Sequence, residues 1–294
     1  MLALVVTQLL GGLGNQMFQY AVGRHLADRL RVPLKLDLTE FEHYSLRRFS
    51  LDHFNIRAEI LTEKESERLQ GIAPDKSPLS KILEKFGCIR SYTFLKEASF
   101  RYDERIEKVY PPIYLNGYWQ SELYFPDAAS VLRKDFSLRE KIDSVNSEFA
   151  KLIDGSTGAV SLHVRRGDYV TNPQTFLYHG VCSLEYYHRA VDYIAKLISN
   201  PHFFIFSDDL NWVMENIVLD YPMTLVNANG PDSGFLDLDL MRRCRHHIIA
   251  NSSFSWWGAW LGNSPCKTVV APSVWFNDVS IDTRDLIPAG WIKL

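Results

Sequence analysis

The sequence predicts an α/β protein of two domains, each a parallel sheet covered by helices, the pair facing each other across a cleft. Three observations carry this. In the second half, short apolar runs alternate with helical periodicities over short connections. The first half opens in the same style, with a strand, a glycine-rich turn and a helix. The 294 residues suit two domains of about 150 residues each, and the turn-rich Asp154-Gly155-Ser156-Thr157-Gly158 sets a boundary between domains 1–154 and 155–294.

The elements follow in order. Leu2 to Gln8 is an apolar strand, followed by the loop LLGGLGNQ, a helix over about 16–30 and a strand over 33–38. Residues 63–90 are charged and contain Gly71, Pro74 and Pro78, which predicts short helices with a mobile loop. Tyr114 to Trp119 reads as a strand, and 133–153 as a charged helical stretch. Beyond the boundary, strands are predicted at 159–164, 203–206, 223–226, 247–250 and 268–271. Helices are predicted at 184–198, 211–218, 235–245 and 254–261. In such sheets ligands bind beyond the carboxyl ends of the strands, which draws attention to Arg165, Asp208, Asp209 and Asn251.

Composition narrows the class. Hydrophobic residues at 46% and charged residues at 23% exclude disorder and low-complexity polymers. A net charge of −3 gives no global grip on nucleic acid, so no nucleic-acid partner is expected and any polyanion site must be local. Cys88, Cys182, Cys244 and Cys266 are scattered, which predicts reduced thiols and neither a disulfide framework nor a zinc cluster. Met1 to Leu10 lacks a charged leading segment and runs into a glycine turn, so it reads as a buried strand and not as a signal peptide or anchor. A cytoplasmic protein is expected, with peripheral membrane contact through Arg47, Arg48, Arg242, Arg243 and Arg245 left open against ordinary surface charge.

Four motifs carry chemistry. In Gly11-Gly12-Leu13-Gly14-Asn15-Gln16, glycines between strand and helix let backbone amides approach an anion at a helix N-terminus. A structural tight turn explains the glycines equally. With Asp37 at the end of the next strand, a dinucleotide site is a further reading, but its third glycine would fall at Met17. In His163-Val164-Arg165-Arg166-Gly167-Asp168, two guanidiniums at the end of a buried strand need anionic partners. One is expected to bind a phosphate pair and the other to brace the loop, with an internal Arg–Asp pair as the structural alternative.

The third motif, Phe206-Ser207-Asp208-Asp209, offers carboxylates to a ribose, a guanine edge or a cation, or simply caps the next helix. Asp237-Leu238-Asp239 has the spacing of a metal clamp but falls inside a predicted helix, where i and i+2 diverge, so no metal site is expected there. The fourth, Asn251-Ser252-Ser253-Phe254-Ser255-Trp256-Trp257, opens a helix with hydroxyl donors suited to an oxyanion. Its tryptophans read as core more readily than as a stacking platform. The sequon at Asn251 reads as spurious at a buried junction, and Cys244, His246 and His247 as core residues and not ligands.

Together GGLGNQMFQYAVGRHLA at 11–27, YLNGYWQSELYF at 114–125, HVRRGDYV at 163–170, FIFSDDLNWV at 204–213 and the run from Asp237 to Leu261 resemble the α-1,2-fucosyltransferases, in particular their bacterial members. Residues 55–110 carry no matching motif. The resemblance implies a GT-B type fold of two Rossmann-like domains, the C-terminal one holding GDP-fucose. It implies inverting transfer of L-fucose to the 2-hydroxyl of a galactoside in an oligosaccharide or polysaccharide, with no cofactor and no obligatory metal. By the same resemblance Arg165 neutralises the diphosphate, His163 and Asp208 or Asp209 contact the nucleoside, and Ser252, Ser253 and Ser255 donate to the phosphates. Asn15, with Gly12 and Gly14 beside it, reaches toward the phosphate or the sugar from the other domain. Asp168, Asp37 and Glu40 remain alternative proton acceptors, Asp168 also orienting the arginines. Three other readings stay open: an NAD(P)-dependent oxidoreductase using the glycine loop, a non-catalytic sugar-nucleotide-binding protein, and a different sugar-nucleotide donor.

Overall fold

Val5–Gln8 forms β1 with all four side chains buried, as expected of a parallel strand covered on both faces. The computed structural model describes residues 3–43, 47–62, 64–65 and 92–294. The expected short helices and loop over 63–90 fall almost wholly outside them, as does Cys88. The chain forms two units, Met1–Phe136 and Ser137–Leu294.

In the first unit β1 lies between β2 (Leu34–Asp37) and β5 (Ile113–Asn116), with β3 (Glu59–Ile60) and β4 (Thr93–Lys96) at the edges. All pairings are parallel, in the order β3-β2-β1-β5-β4. The helix Leu13–Leu30 packs on this sheet through Gly23, where a Cβ would stand 2.2 Å from Thr7 Oγ1 and 2.9 Å from Leu34 Cδ1. Only a glycine permits so close an approach. On the same helix the Tyr20 hydroxyl and Arg24 Nε both donate to buried Asp135 Oδ2, at 2.7 and 2.9 Å. That shared carboxylate ties it to the helix Ala129–Asp135.

The second unit has six parallel strands: β6 (Ala159–Val164), β7 (His202–Ser207), β8 (Met223–Leu225), β9 (His246–Ile248), β10 (Val269–Ala271) and β11 (Ile292–Lys293). Their order is β11-β10-β9-β6-β7-β8, so the winding reverses between β6 and β9. Side chains along β7 alternate between two cores. Phe203 and Ile205 pack with Tyr187 and Ile194 of the helix Leu184–Leu197, while Phe204 and Phe206 pack with Leu240 and Met241 of the helix Gly234–Met241. Trp256 and Trp257 are fully buried and Trp260 is 8% exposed, so the tryptophan cluster is core.

Two expectations need correction. The stretch 133–153 is two helices, Ala129–Asp135 and Ser144–Gly155, the second capped by Asp143 accepting the Asn146 N–H at 2.8 Å. The boundary therefore falls after Phe136 and not after Asp154. Ala150 and Ile153 bury against Phe204 and Leu240, which commits the Ser144–Gly155 helix to the second unit. The turn-rich pentapeptide is only the link from that helix into β6. Among the described residues no helix is long and apolar enough to cross a membrane. Of the arginines weighed as a basic patch, Arg242 and Arg243 are engaged by Asp239.

Candidate active site

The winding reversal leaves the carboxyl ends of β6 and β9 side by side, the place where open α/β sheets bind ligands. Arg165 follows β6 directly. Its guanidinium pairs with Asp168 and, through Nη1, with Asp208 Oδ2 at 2.9 Å. Burial works against its charge, but the two carboxylates outweigh it and hold the group protonated above its ordinary range. Arg166 turns the other way. Its backbone N–H donates to Asp208 Oδ1 at 2.8 Å, its Nε to Asp209 Oδ2 at 3.1 Å, and its guanidinium lies 4.0 Å over the Trp212 ring. The in-register pairing of Val164 with Ser207 sets these charges level at adjacent strand ends.

Tyr169 links the two sides of the switch point. Its ring centre is 5.2 Å from the Arg165 guanidinium carbon, and its hydroxyl stands 3.5 Å from the Asn251 carbonyl oxygen. Behind it, the His179 ring stacks at 4.6 Å and 11°. Asn251 completes the tie, donating from Nδ2 to the carbonyls of His179 at 2.8 Å and Trp275 at 3.2 Å. With its amide so engaged and the residue buried, Asn251 is a structural pin.

The nine-residue helix Ser253–Leu261 starts immediately after. Ser252 is its N-cap residue in extended conformation with no side-chain cap bond, leaving first-turn amides and the positive end of the helix for an anion. Phe254 in that turn packs on His163 of β6 with ring centres 5.5 Å apart. His163 is pushed down to about 3, first by burial and then by the Arg165 charge, so its ring is neutral. Its Nδ1 is buried without a hydrogen-bond partner.

Arg165, His163, Ser252 and Ser253 thus belong to one neighbourhood. Ser255 does not join them: it is fully buried, and its hydroxyl faces the carbonyls of Ser252 and Ala250 at 3.3 and 3.5 Å. Asp208 and Asp209 are partners of the arginines, and Asp209 also caps the helix Leu210–Asn216 by accepting the Trp212 N–H at 3.1 Å. Asp168 is likewise engaged with Arg165.

The sequence weighed Asp237 only as half of a D-x-D spacing. Asp239 points away to Arg242 and Arg243, so the D-x-D spacing forms no clamp. Asp237 instead has its carboxyl pushed up to about 6 by burial, with only Oδ1 accepting from Asn229 Nδ2, at 2.7 Å. A Cβ on Gly234, one turn earlier, would lie 3.6 Å from the Phe254 ring, which places the start of that helix beside His163's neighbour. Its residue type and its place in a first helical turn were visible, but its burial was not.

In the first unit the glycine turn is as drawn. Gly11 has φ +79°, Gly12 is the N-cap of the Leu13–Leu30 helix, Gly14 is buried, and Asn15 Oδ1 accepts from Gln120 Nε2 at 2.8 Å. Asp37 is spent, with Oδ2 accepting the Tyr114 hydroxyl at 2.6 Å and Oδ1 the Thr39 N–H and hydroxyl at 3.0 and 2.8 Å. It is therefore unavailable as a ribose ligand for the dinucleotide reading. Met17, fully buried, occupies the place where that reading needs glycine. Among the described residues no group of three or more His, Cys, Asp or Glu is arranged to hold a metal ion.

Two parallel-sheet α/β units of this kind make up the GT-B fold of glycosyltransferases. The chain belongs to glycosyl transferase family 11, the α-1,2-fucosyltransferase family, whose model matches residues 3–294. It is 34% identical to an alpha-1,2-colitosyltransferase of Escherichia coli, over 100% of this chain and 99% of that protein. It is 36% identical to the O-antigen biosynthesis glycosyltransferase WbnK of Escherichia coli, over 97% and 99%. A galactoside alpha-(1,2)-fucosyltransferase 1 of Saimiri boliviensis boliviensis is 28% identical over 51% of this chain and 43% of its own length. In fold, the chain is similar to a mutant of Arabidopsis thaliana FUT1 in complex with GDP, with a TM-score of 0.53, 12% identity and coverage of 98% and 75%.

Proposed function

We propose that the protein transfers L-fucose from GDP-fucose to the 2-hydroxyl of a galactoside, with inversion, forming an α-1,2 linkage. The observation that carries this is the junction of Arg165 and the Ser252 helix tip through Tyr169 and Asn251. As the C1–O bond to GDP breaks, negative charge gathers on the β-phosphate while the sugar ring becomes oxocarbenium-like. Arg165 and the first-turn amides, with the Ser252 and Ser253 hydroxyls, meet that charge without moving. Preorganised donors of this kind contribute several kcal/mol, about what a metal would otherwise supply.

Asp168 and Asp208 orient Arg165, and Asp209 holds Arg166. The nucleoside falls to other groups. Asp237 Oδ2 suits the N–H edge of guanine, and the neutral His163 offers its unpartnered Nδ1. Asp37, Asp168 and Glu40 each already hold a donor or cation of this chain, so the reading takes the acceptor proton to leave late, from an already electrophilic reaction. The protein is proposed to act at the cytoplasmic side, with an oligosaccharide or polysaccharide acceptor.

A second donor is favoured by the 34% identity to the colitosyltransferase along the whole chain. Colitose is L-fucose without its 3-hydroxyl, so the same phosphate chemistry applies. The test is GDP release from GDP-fucose and GDP-colitose against a galactoside panel in EDTA, with the linkage read by NMR. An α-1,2-fucosylated product supports the main reading, exclusive use of GDP-colitose the second, and hydride transfer to a nicotinamide would refute both.

A further inference from the structure

The first unit has a switch point of its own, between β1 and β5. Its chemistry differs from that of the second. A row of polar side chains runs across the carboxyl ends: Asn116 Nδ2 donates to Gln8 Oε1, and Gln8 Nε2 donates to Glu40 Oε1 at 3.1 Å. Gln8 is almost fully buried, so its amide is locked between its neighbours, while Glu40 is exposed. The direction of donation leaves acceptor oxygens at both ends, Asn116 Oδ1 and Glu40 Oε2. The two ends stand on either side of Gln8, Asn116 at the end of β5 and Glu40 just beyond β2.

The loop beyond Asn116 is held rigidly. Glu97 accepts the N–H of Tyr118 at 2.6 Å and of Trp119 at 2.9 Å, and Gln19 Nε2 donates to the Gly117 carbonyl at 3.2 Å. Trp119 has φ +58°, a conformation that a bulky residue keeps only when its surroundings impose it, and strain of this kind clusters at ligand sites.

We propose that Asn116, Gln8 and Glu40 form the hydroxyl-binding subsite for the saccharide acceptor. This rests on the glycosyl-transfer reading above. A polyhydroxy ligand donates to both free oxygens across the locked amide. The Glu40 carboxylate disfavours a phosphate, and two oxygens are too few for a hard cation. The three residues are assigned to positioning the acceptor and to no step at the donor's leaving group.

The test uses phenyl β-D-galactoside with the full-length protein and the variants Glu40→Gln and Asn116→Ala. Saturation-transfer NMR reads galactoside binding, and calorimetry reads GDP binding. The expected result is an acceptor KM raised about tenfold or more in each variant and a lost galactoside signal, with GDP affinity and acceptor-free GDP-fucose hydrolysis unchanged. Glu40 is exposed, so its variant keeps the wild-type melting temperature. A galactoside KM within twofold of wild type in both variants overturns the subsite, as does a parallel fall in GDP affinity. A wild-type protein that binds galactoside through Glu40 but not GDP would instead defeat the donor reading alone.

Discussion

Asp208 Oδ2 lies 2.9 Å from Arg165 Nη1, while Asp208 Oδ1 accepts the Arg166 backbone N–H at 2.8 Å. One carboxylate from the end of β7 therefore fixes both the charge and the main chain at the end of β6. The charge balance at the site depends on it: two guanidiniums face Asp168, Asp208 and Asp209. Asp208→Asn keeps an acceptor for the Arg166 N–H but removes the charge beside Arg165. Turnover is expected to fall about 10- to 100-fold, with a smaller effect on stability, because a misaimed guanidinium forfeits transition-state contacts. Steady-state kinetics beside a melting curve checks this.

Ser255 gives the opposite case. Its hydroxyl serves buried carbonyls, so Ser255→Ala is expected to cost about 1 kcal/mol of stability and to leave GDP affinity unchanged. Ser252→Ala is expected to weaken GDP binding with little effect on the melting temperature, since that side chain makes no cap bond. Titration calorimetry on the two variants separates the roles.

The contrast shows what the sequence held. β6 and β7 were legible because buried parallel strands read as apolar runs, and the residues just past them could be named. Whether Asp208 served a ligand or an arginine was not legible, because that depends on the register between β6 and β7. β3, β4 and β11 escaped notice as strands of two to four residues, mostly exposed in β3 and β4. The helix Pro173–His179 was not predicted, although Asn172 accepting the Gln174 and Thr175 N–H groups and proline in the first turn are ordinary start signals. The domain boundary was misplaced because the apolar face of the Ser144–Gly155 helix has no address in sequence.

If Asp237 holds the guanine edge as proposed, GDP binding depends on pH. Burial raises its carboxyl to about 6, and a guanine N–H edge requires the ionised form. GDP affinity is therefore expected to fall as pH drops through about 6, with proton release on binding below that pH. Asp237→Asn should flatten the profile and narrow the preference for GDP over ADP. Calorimetry in buffers of different ionisation enthalpy measures both.

Glu97 gives a stability signature. Burial raises its carboxyl from 4.5 to about 6, against the two backbone donors that favour the charge. A raised folded value means that the neutral form is the better tolerated one. Stability from this group is full below 4.5 and declines by about 2 kcal/mol as pH rises to about 6 and beyond. Glu97→Gln should remove that slope in urea titrations across pH 4 to about 7.

The most direct test of the account is the turnover of Arg165→Ala at saturating GDP-fucose, with folding verified by circular dichroism. A fall of about 10²-fold or more is predicted, because the variant removes the guanidinium proposed to meet the charge of the departing diphosphate. Turnover close to wild type would contradict the assignment of Arg165 to the leaving group, and with it the donor site at the ends of β6 and β9.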